Sequence, residues 1–343
     1  MYSKVTGFFM TGTGNSYKVA TWFLEAVGKV KTDLYQIKEI SIDFTIGTSD
    51  LLVFSYPTHG FTAPWLMIKH VFRLPPGNGV HAVVLPTRAG TRVLGLSLPG
   101  MEGTAGYLIA ALLWLRGYKI KGISAIDMPS NWTAVHWGLS HSNVEVIAAK
   151  GKAKVKQLAE KITAGHSFYN GFIPLLIGLL LARISFMYLI IAQLVLSKFF
   201  FASNRCNSCG LCQRICPKQA ITLVAKKPYW SYSCDSCMAC MNYCPLQAIQ
   251  VSPFSVFVFS YILSLPVTAW LLNELGYPQN APKMLQFVIQ YIYTLTSVGI
   301  VYWLLHQVLR IKPLAALLST LSHTKYLRRY KAPGVSLKDI HKE

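Results

Sequence analysis

Charge is scarce in this chain. Aspartate and glutamate account for only 13 of 343 residues, and charged residues of both signs make up 13%. An ordinary soluble domain carries about 25%. Part of the surface must therefore face something other than water, and few carboxylates remain to serve as general bases. No Ser–His–Asp grouping and no paired carboxylates mark a hydrolytic or acid–base site, so no catalytic residue is assigned. Cysteine is absent outside residues 206–244, where all eight lie. That excludes a disulfide framework spread over the fold and points to a metal site in a reducing compartment. No cleavable leader pattern precedes the strand-like run 4–10, which predicts a cytosolic N-terminal domain.

What the chain does have is positive charge, with 33 Lys and Arg and a net charge of +20. Residues 1–150 hold 13 basic and 8 acidic side chains, against 20 and 5 in the remainder. The excess thus flanks the more apolar part. An anionic membrane surface suits that pattern better than nucleic acid does.

Residues 206–217 read CNSCGLCQRICP and residues 234–245 read CDSCMACMNYCP. Each is C-x2-C-x2-C-x3-C-P. Three thiolates at this spacing wrap one cubane, and the fourth, past the turn, ligates the other cluster. Cys206, Cys209, Cys212 and Cys244 are thereby assigned to one [4Fe–4S] cluster. Cys234, Cys237, Cys240 and Cys216 are assigned to a second. Gly210 and Ala239 are expected to let the backbone wrap closely. AITLV (220–224) and AIQV (248–251) follow the two motifs at equivalent places, an internal repeat. A pair of zinc sites would draw on C-x2-C pairs; the additional x3-C-P favours clusters. Residues 204–252 resemble a bacterial two-cluster ferredoxin, a small α+β module, and the resemblance implies relay rather than catalysis.

Upstream, VTGFFM leads into TGTGNS (11–16) and a helical stretch, KVATWFLEAV. A strand, a small polar loop and a helix start form an anion site. Gly12 and Gly14 permit tight turns. Thr11, Thr13, Asn15 and Ser16 supply donors, and the helix dipole adds positive potential. The loop has no Lys and is not a Walker A loop, nor is it G-x-G-x-x-G. Neutral donors suit a monophosphate such as FMN. Further strands are predicted in 50–64, 81–95 and 118–132, with helices at 64–73, 99–117 and 141–166. The alternation predicts a doubly wound parallel α/β sheet with its ligand loops along one edge.

Residues 1–167 resemble a flavodoxin. The resemblance implies that Pro57, Thr58, His59, Gly60 and Phe61 form a second flavin loop, and that Thr87, Arg88, Ala89, Gly90 and Thr91 form a third. The third loop, TRAGTR (87–92), lacks the aromatic that flavodoxins place there, and Trp132 is the substitute on offer. Arg88 and Arg92 stand where flavodoxins carry acids, which predicts a flavin potential above a typical flavodoxin's. With MPSNW (128–132) and PYWSYSC (228–234), the two parts together resemble flavodoxin–ferredoxin fusion proteins.

Residues 254–272 and 284–309 are uncharged runs of 19 and 26 residues, each about the length a membrane span requires. They predict a transmembrane α-helical hairpin within 253–311, its first helix kinked at Pro266. The basic tail 312–343 then lies on the cytoplasmic face with the redox domains. The tail run KYLRRYK (325–331) either covers a redox domain or binds lipid headgroups, the latter being favoured. His306 on the second span is expected to be an interface residue rather than a ligand. The apolar stretch 168–203 is too short for two crossings. It predicts two interfacial or re-entrant helices, 172–182 and 184–201, with Arg183 between them; the alternative is a single span with Arg183 paired inside the bundle. The resemblance implies an electron carrier passing electrons between FMN and two [4Fe–4S] clusters, and the apolar runs predict that it is anchored in a membrane. Its expected partner is an acidic soluble ferredoxin or flavodoxin, or a reductive enzyme. Two alternatives remain: a ferredoxin or flavodoxin:quinone oxidoreductase, and a redox-sensing or assembly factor of a membrane complex.

Overall fold

The computed structural model describes residues 2–38, 46–170, 172–251, 253–262, 270, 273–274, 276 and 282–340. In its first part, strands β1 (Lys4–Phe9), β2 (Lys31–Gln36), β3 (Asp50–Pro57), β4 (His81–Val93), β5 (Leu96–Leu98), β6 (Lys119–Ile123) and β7 (Ile126–Pro129) are interspersed with four helices. These are α1 (Asn15–Ala26), α2 (Trp65–Arg73), α3 (Ala105–Leu115) and α4 (His141–Thr163). The strands lie in the order β2-β1-β3-β4, with β6 and β7 both paired to β4. All of these pairings are parallel. Counting the interrupted β6–β7 as one strand gives 2-1-3-4-5, the order of a flavodoxin-like doubly wound sheet.

Periodicity explains why this sheet forms. In β3, Asp50 to Tyr56 are all buried, as a central parallel strand covered on both faces must be. Alternation then divides the strand. Leu51 and Val53 join Val19 and Phe23 of α1 and Val155 and Leu158 of α4. Leu52 and Phe54 join Met67 and Val71 of α2 and Ile109 and Leu113 of α3. Each such side chain stabilises the fold by about 1.5–3 kcal/mol, so two helix pairs clamp one strand.

β4 departs from expectation. It runs for 13 residues, and its second half leaves β3 to pair with β7 and, antiparallel, with β5. TRAGTR is therefore strand rather than an open loop. The hairpin turns at Leu94 (φ 50°) and Gly95 (φ 82°), the two positive dihedrals that a tight two-residue turn requires.

α5 (Phe172–Met187), a π-helical turn (Tyr188–Ala192), α6 (Gln193–Leu196) and a 3-10 turn (Ser197–Phe199) follow as one unbroken helical run. The break expected at Arg183 is absent. Arg183 is exposed, so its charge needs no interruption of the helix to reach solvent. The irregularity falls at the π turn, whose carbonyls find other donors. Trp65 Nε1 donates to the Leu189 carbonyl (3.0 Å), and the Tyr291 hydroxyl donates to that of Ile190 (3.2 Å).

β8 (Phe200–Ala202) pairs antiparallel with β11 (Ile249–Val251), and β9 (Ile221–Val224) with β10 (Lys227–Trp230). With the short helices α7 (Leu211–Arg214) and α8 (Ala239–Tyr243) they build the α+β cysteine module. Residues 200–202, expected to belong to the apolar connection, thus supply one of its strands. α9 (Pro253–Ile262), α10 (Lys283–Val308), α11 (Lys312–Thr320) and α12 (Leu337–Ile340) complete the described elements. Ile173–Ile191 and Lys283–Val308 are long and apolar enough to cross a membrane. Large side chains on both stay exposed, among them Leu180, Phe186, Met284 and Trp303. The predicted span 254–272 is helical to Ile262, and Pro266 lies outside the described residues.

The tail does not hang free. Thr324 and Ser322 hydrogen-bond Val251, His323 Nε2 lies 2.8 Å from the Ala134 carbonyl oxygen, and Arg329 reaches the Ile249 carbonyl. The Tyr330 amide donates to Asn242 (2.7 Å) and its hydroxyl to Asn15 (2.6 Å). The Ala332 amide donates to the Thr13 carbonyl. The segment thus covers both the parallel-sheet domain and the cysteine module with its amides and the Tyr330 hydroxyl, while Tyr326, Arg328 and Lys331 stay exposed.

Candidate redox centres

The phosphate loop follows β1 and opens α1. Gly14 sits at the N-cap with φ 100°, and no side chain caps the helix. The first-turn N–H groups are thus left for an anion. Thr11 to Ser16 are all buried and cross-braced. The Gly14 amide donates to Thr11 Oγ1 (2.9 Å), Asn131 Nδ2 donates to Thr13 Oγ1 (2.6 Å), and Ser16 Oγ lies 3.0 Å from Thr87 Oγ1. The two glycines serve different ends. Gly14 supplies the left-handed turn. Gly12 has no positive φ, but a Cβ there would overlap the Cys237 carbonyl.

A cavity of about 410 Å³ opens beside this loop, within the size range of small-molecule sites. Of the predicted flavin residues, Asn15, Pro57 to Phe61, and Thr87 to Ala89 line it. Thr11 to Gly14 and Ser16 do not. Gly90 and Thr91 line a separate cavity of about 160 Å³, beyond the point where β4 has left β3 to pair with β7 and β5. Trp132 lines the larger cavity, as do Met101, Asn131 and Tyr188. Tyr188 comes from the π turn, too far along the sequence to be anticipated. A Cβ on Gly60 would overlap its ring. Among the described residues, Thr58 Oγ1 and His59 Nδ1 are buried here without a hydrogen-bond partner. Orphaned donors and acceptors in a roomy cavity fit a polar, ring-shaped ligand such as a flavin.

Arg88 corrects the electrostatic expectation. Its guanidinium grips Asp127 (2.8 and 3.0 Å) and Glu102 (2.9 Å). Arg92 bonds the Gly95 carbonyl and Asn143. Two carboxylates cancel the Arg88 charge, so the cavity gains no free cation from it.

The cysteines fall into two quartets. The Cys212 thiol feels Cys206, Cys209 and Cys244. The Cys240 thiol feels Cys234, Cys237 and Cys216. Cys206, Cys209, Cys212 and Cys244 line one common cavity, where Cys240 of the other quartet joins them. Burial raises the buried thiols, Cys212 to about 11 and Cys234 to about 12. Such groups would stay protonated at neutral pH unless bound cations held the thiolates. Backbone amides already aim at sulfur: Ala220 at Cys216 (3.3 Å), Ala248 at Cys244 (3.3 Å) and Ser236 at Cys234 (3.4 Å). Among the described residues, no three His, Cys, Asp or Glu are grouped as ligands of a single metal ion.

The repeat extends to the backbone. Ser208 and Ser236 have φ of 61° and 49°, Gly210 and Met238 of 71° and 64°, and Gln219 and Gln247 of 49° and 48°. The counterpart of Gly210 is therefore Met238, not Ala239, which lies inside α8. Met238 carries a left-handed strain of about 1–2 kcal/mol, the kind of strain that functional loops hold.

The two centres meet. Ser236, Cys237 and Met238 form one wall of the larger cavity, opposite the loops of the parallel sheet. In the other quartet, Cys209 is exposed.

Residues 205–249 match the 4Fe-4S dicluster domain family. No curated protein matches the chain. Among solved structures, the chain is similar to a flavodoxin from the domain Archaea: 12% identity, 46% of this chain and 99% of that one, TM-score 0.30. It is also similar to an azoreductase from Bacillus anthracis str. Sterne: 13% identity, 47% and 100%, TM-score 0.31. The chain thus joins a flavodoxin-like parallel sheet to a 4Fe-4S dicluster module at residues 205–249.

Proposed function

We propose that the chain is a membrane-anchored electron relay holding one FMN and two [4Fe–4S] clusters. The observation that carries the reading is the wall shared by Cys237 and the loops 57–61 and 87–89. It sets a ligand of the second quartet against the site where the flavin ring would sit. A flavin, when bound, exchanges electrons with both two-electron and one-electron partners. Thr58, His59 and Trp132 would bind and orient it, and the open N-terminus of α1 would hold its phosphate. Cys216, Cys234, Cys237 and Cys240 would hold the inner cluster. Cys206, Cys209, Cys212 and Cys244 would hold the outer one, from which exposed Cys209 faces a partner. Arg205, Arg214 and Lys226 are exposed around it, a surface that favours an acidic redox protein.

Anchoring rests on α5 and α10, with their exposed apolar side chains. α11 adds an interfacial face: Leu314 and Leu317 are exposed while Ala315 and Leu318 are buried. The basic residues after α10 argue for a cytoplasmic location of the redox domains.

Anaerobic purification in detergent tests the reading. About eight iron, eight sulfide and one FMN per chain are expected. Full iron without flavin would refute the relay. In Cys237→Ser, FMN should be retained and reducible while reduction of a partner protein is lost; unchanged partner reduction would count against the proposed order.

A further inference from the structure

Lys198 is a cation buried where the relay has no evident use for one. It lies in the 3-10 turn that ends the apolar helical run, is 1% exposed, and has no carboxylate partner among the described ion pairs. Its Nζ donates to the Trp230 carbonyl. Three rings surround it, with centroids at 4.2 Å (Tyr232), 4.6 Å (Tyr302) and 5.5 Å (Tyr229). Cation–π contacts and one carbonyl keep an ammonium charged away from water, but they are all neutral. From the Trp230 carbonyl the chain runs through Tyr232 to Cys234, a ligand of the inner quartet.

Packing places this cage on the chain that leads into the inner quartet: Trp230 and Tyr232 stand four and two residues before Cys234, while Cys212 of the outer quartet lies at the edge of the same cluster. Trp230 and Tyr302 share one buried cluster with Cys234 and Cys240. The Trp230 indole N–H has no partner among the described residues. Two other charges act nearby. Asp235 opposes Lys198 at Cys216, Cys234 and Cys237. Arg329 acts on Cys244 and Cys240, one ligand of each quartet, so it does not distinguish them. Lys198 contacts the segment that carries Cys234 directly, through the Trp230 carbonyl and the Tyr232 ring.

We infer that Lys198 is the electrostatic counter-charge of the inner cluster, raising that cluster's reduction potential and favouring the electron beside the flavin. The inference rests on the two-cluster reading above. Reduction adds one negative charge to the cluster, and a fixed cation in a low-dielectric surrounding stabilises it.

The test is a redox titration of the purified full-length protein, followed by electron paramagnetic resonance. Wild-type protein, Lys198→Met and Lys198→Arg are compared at pH 7, with iron counted in each. In Lys198→Met, one of the two couples should fall by at least tenfold in its reduction equilibrium, about 59 mV for one electron. The other should stay in place, and Lys198→Arg should restore the first. Full iron with both couples unmoved overturns the inference. Loss of iron in both variants also overturns it, making Lys198 a structural residue. A wild-type protein with only one cluster signal instead refutes the two-cluster reading itself.

Discussion

Gly12→Ala probes the contact that joins the flavin loops to the cysteine module. Gly12 has an ordinary backbone conformation, so alanine meets no dihedral penalty there, only a lack of space. The new methyl carbon would overlap the Cys237 carbonyl oxygen and lie 2.9 Å from its carbon and 3.2 Å from Cys237 Cβ. Relaxed carbon–carbon contacts lie at about 3.5–4.0 Å. The loop and the Cys237 backbone must therefore part by about 1 Å. Neither side yields easily: the loop is braced by Thr11, Asn131 and Thr87, and Cys237 sits between two left-handed residues, Ser236 and Met238. Overpacking of this kind costs about 1–3 kcal/mol. Gly28→Ala is the control. Gly28 has φ 81° and open space around it, so it incurs backbone strain of about 1–2 kcal/mol far from either centre. Urea midpoints should fall in both variants. Only Gly12→Ala should also change the paramagnetic signal of one cluster and weaken flavin retention. A Gly12→Ala protein with a wild-type midpoint and unaltered cluster signals would refute the contact.

Arg88→Met should destabilise the protein by about 3 kcal/mol, the low end for a broken buried pair, because Asp127 is one-third exposed while Glu102 is 3% exposed. Burial already raises the Glu102 pKa. The loss should therefore shrink in urea titrations at acid pH, where Glu102 takes up a proton; a loss independent of pH would contradict the pairing. His70 packs on Phe8 and Phe54, and burial lowers its pKa to about 4. The unfolded chain binds this proton first, near pH 6.5, so stability falls as pH drops from there toward 4. At pH 5 the loss is about 2 kcal/mol, from about 1.5 units at 1.36 kcal/mol each. His70→Phe should remove that share of the acid sensitivity, and an unchanged pH profile would count against the assignment.

Local pattern carried the sequence reading as far as local physics reaches. The buried run 51–56, apolar but for Ser55, and the helical periodicities around it specify a parallel sheet, and the doubled cysteine motif predicts two quartets. Both follow from spacing along the chain. The third flavin loop was misread because TRAGTR has loop-like composition, and only its pairing with β5 and β7 makes it strand. Arg88 looked like a free cation because Glu102 and Asp127 are 14 and 39 residues away. Ala239 looked equivalent to Gly210 because both are small. The repeat counts from the first cysteine of each motif, however, and by that count the left-handed position falls on Met238.

What sequence could not supply is the closing of the cavity, and the reason is chain separation. Its walls come from the parallel sheet, from the cysteine module at 236–238 and from Tyr188 in the connecting helix. The tail then hydrogen-bonds Asn15 and Thr13, which lie more than 300 residues earlier. None of these segments announces the others. Each leaves a polar group unsatisfied within its own element: the bare N-terminus of α1, the π-turn carbonyls, the Asn242 side chain. Unsatisfied groups in buried positions must find partners. The tail's amides and Tyr330 hydroxyl, Trp65 and Tyr291 are where several of them do. The contact between the two domains thus combines an apolar cluster, Phe9 and Ala20 against Ile215, Ala239 and Tyr243, with hydrogen bonds that neither domain completes alone, such as Asn242 Nδ2 to Thr133 Oγ1.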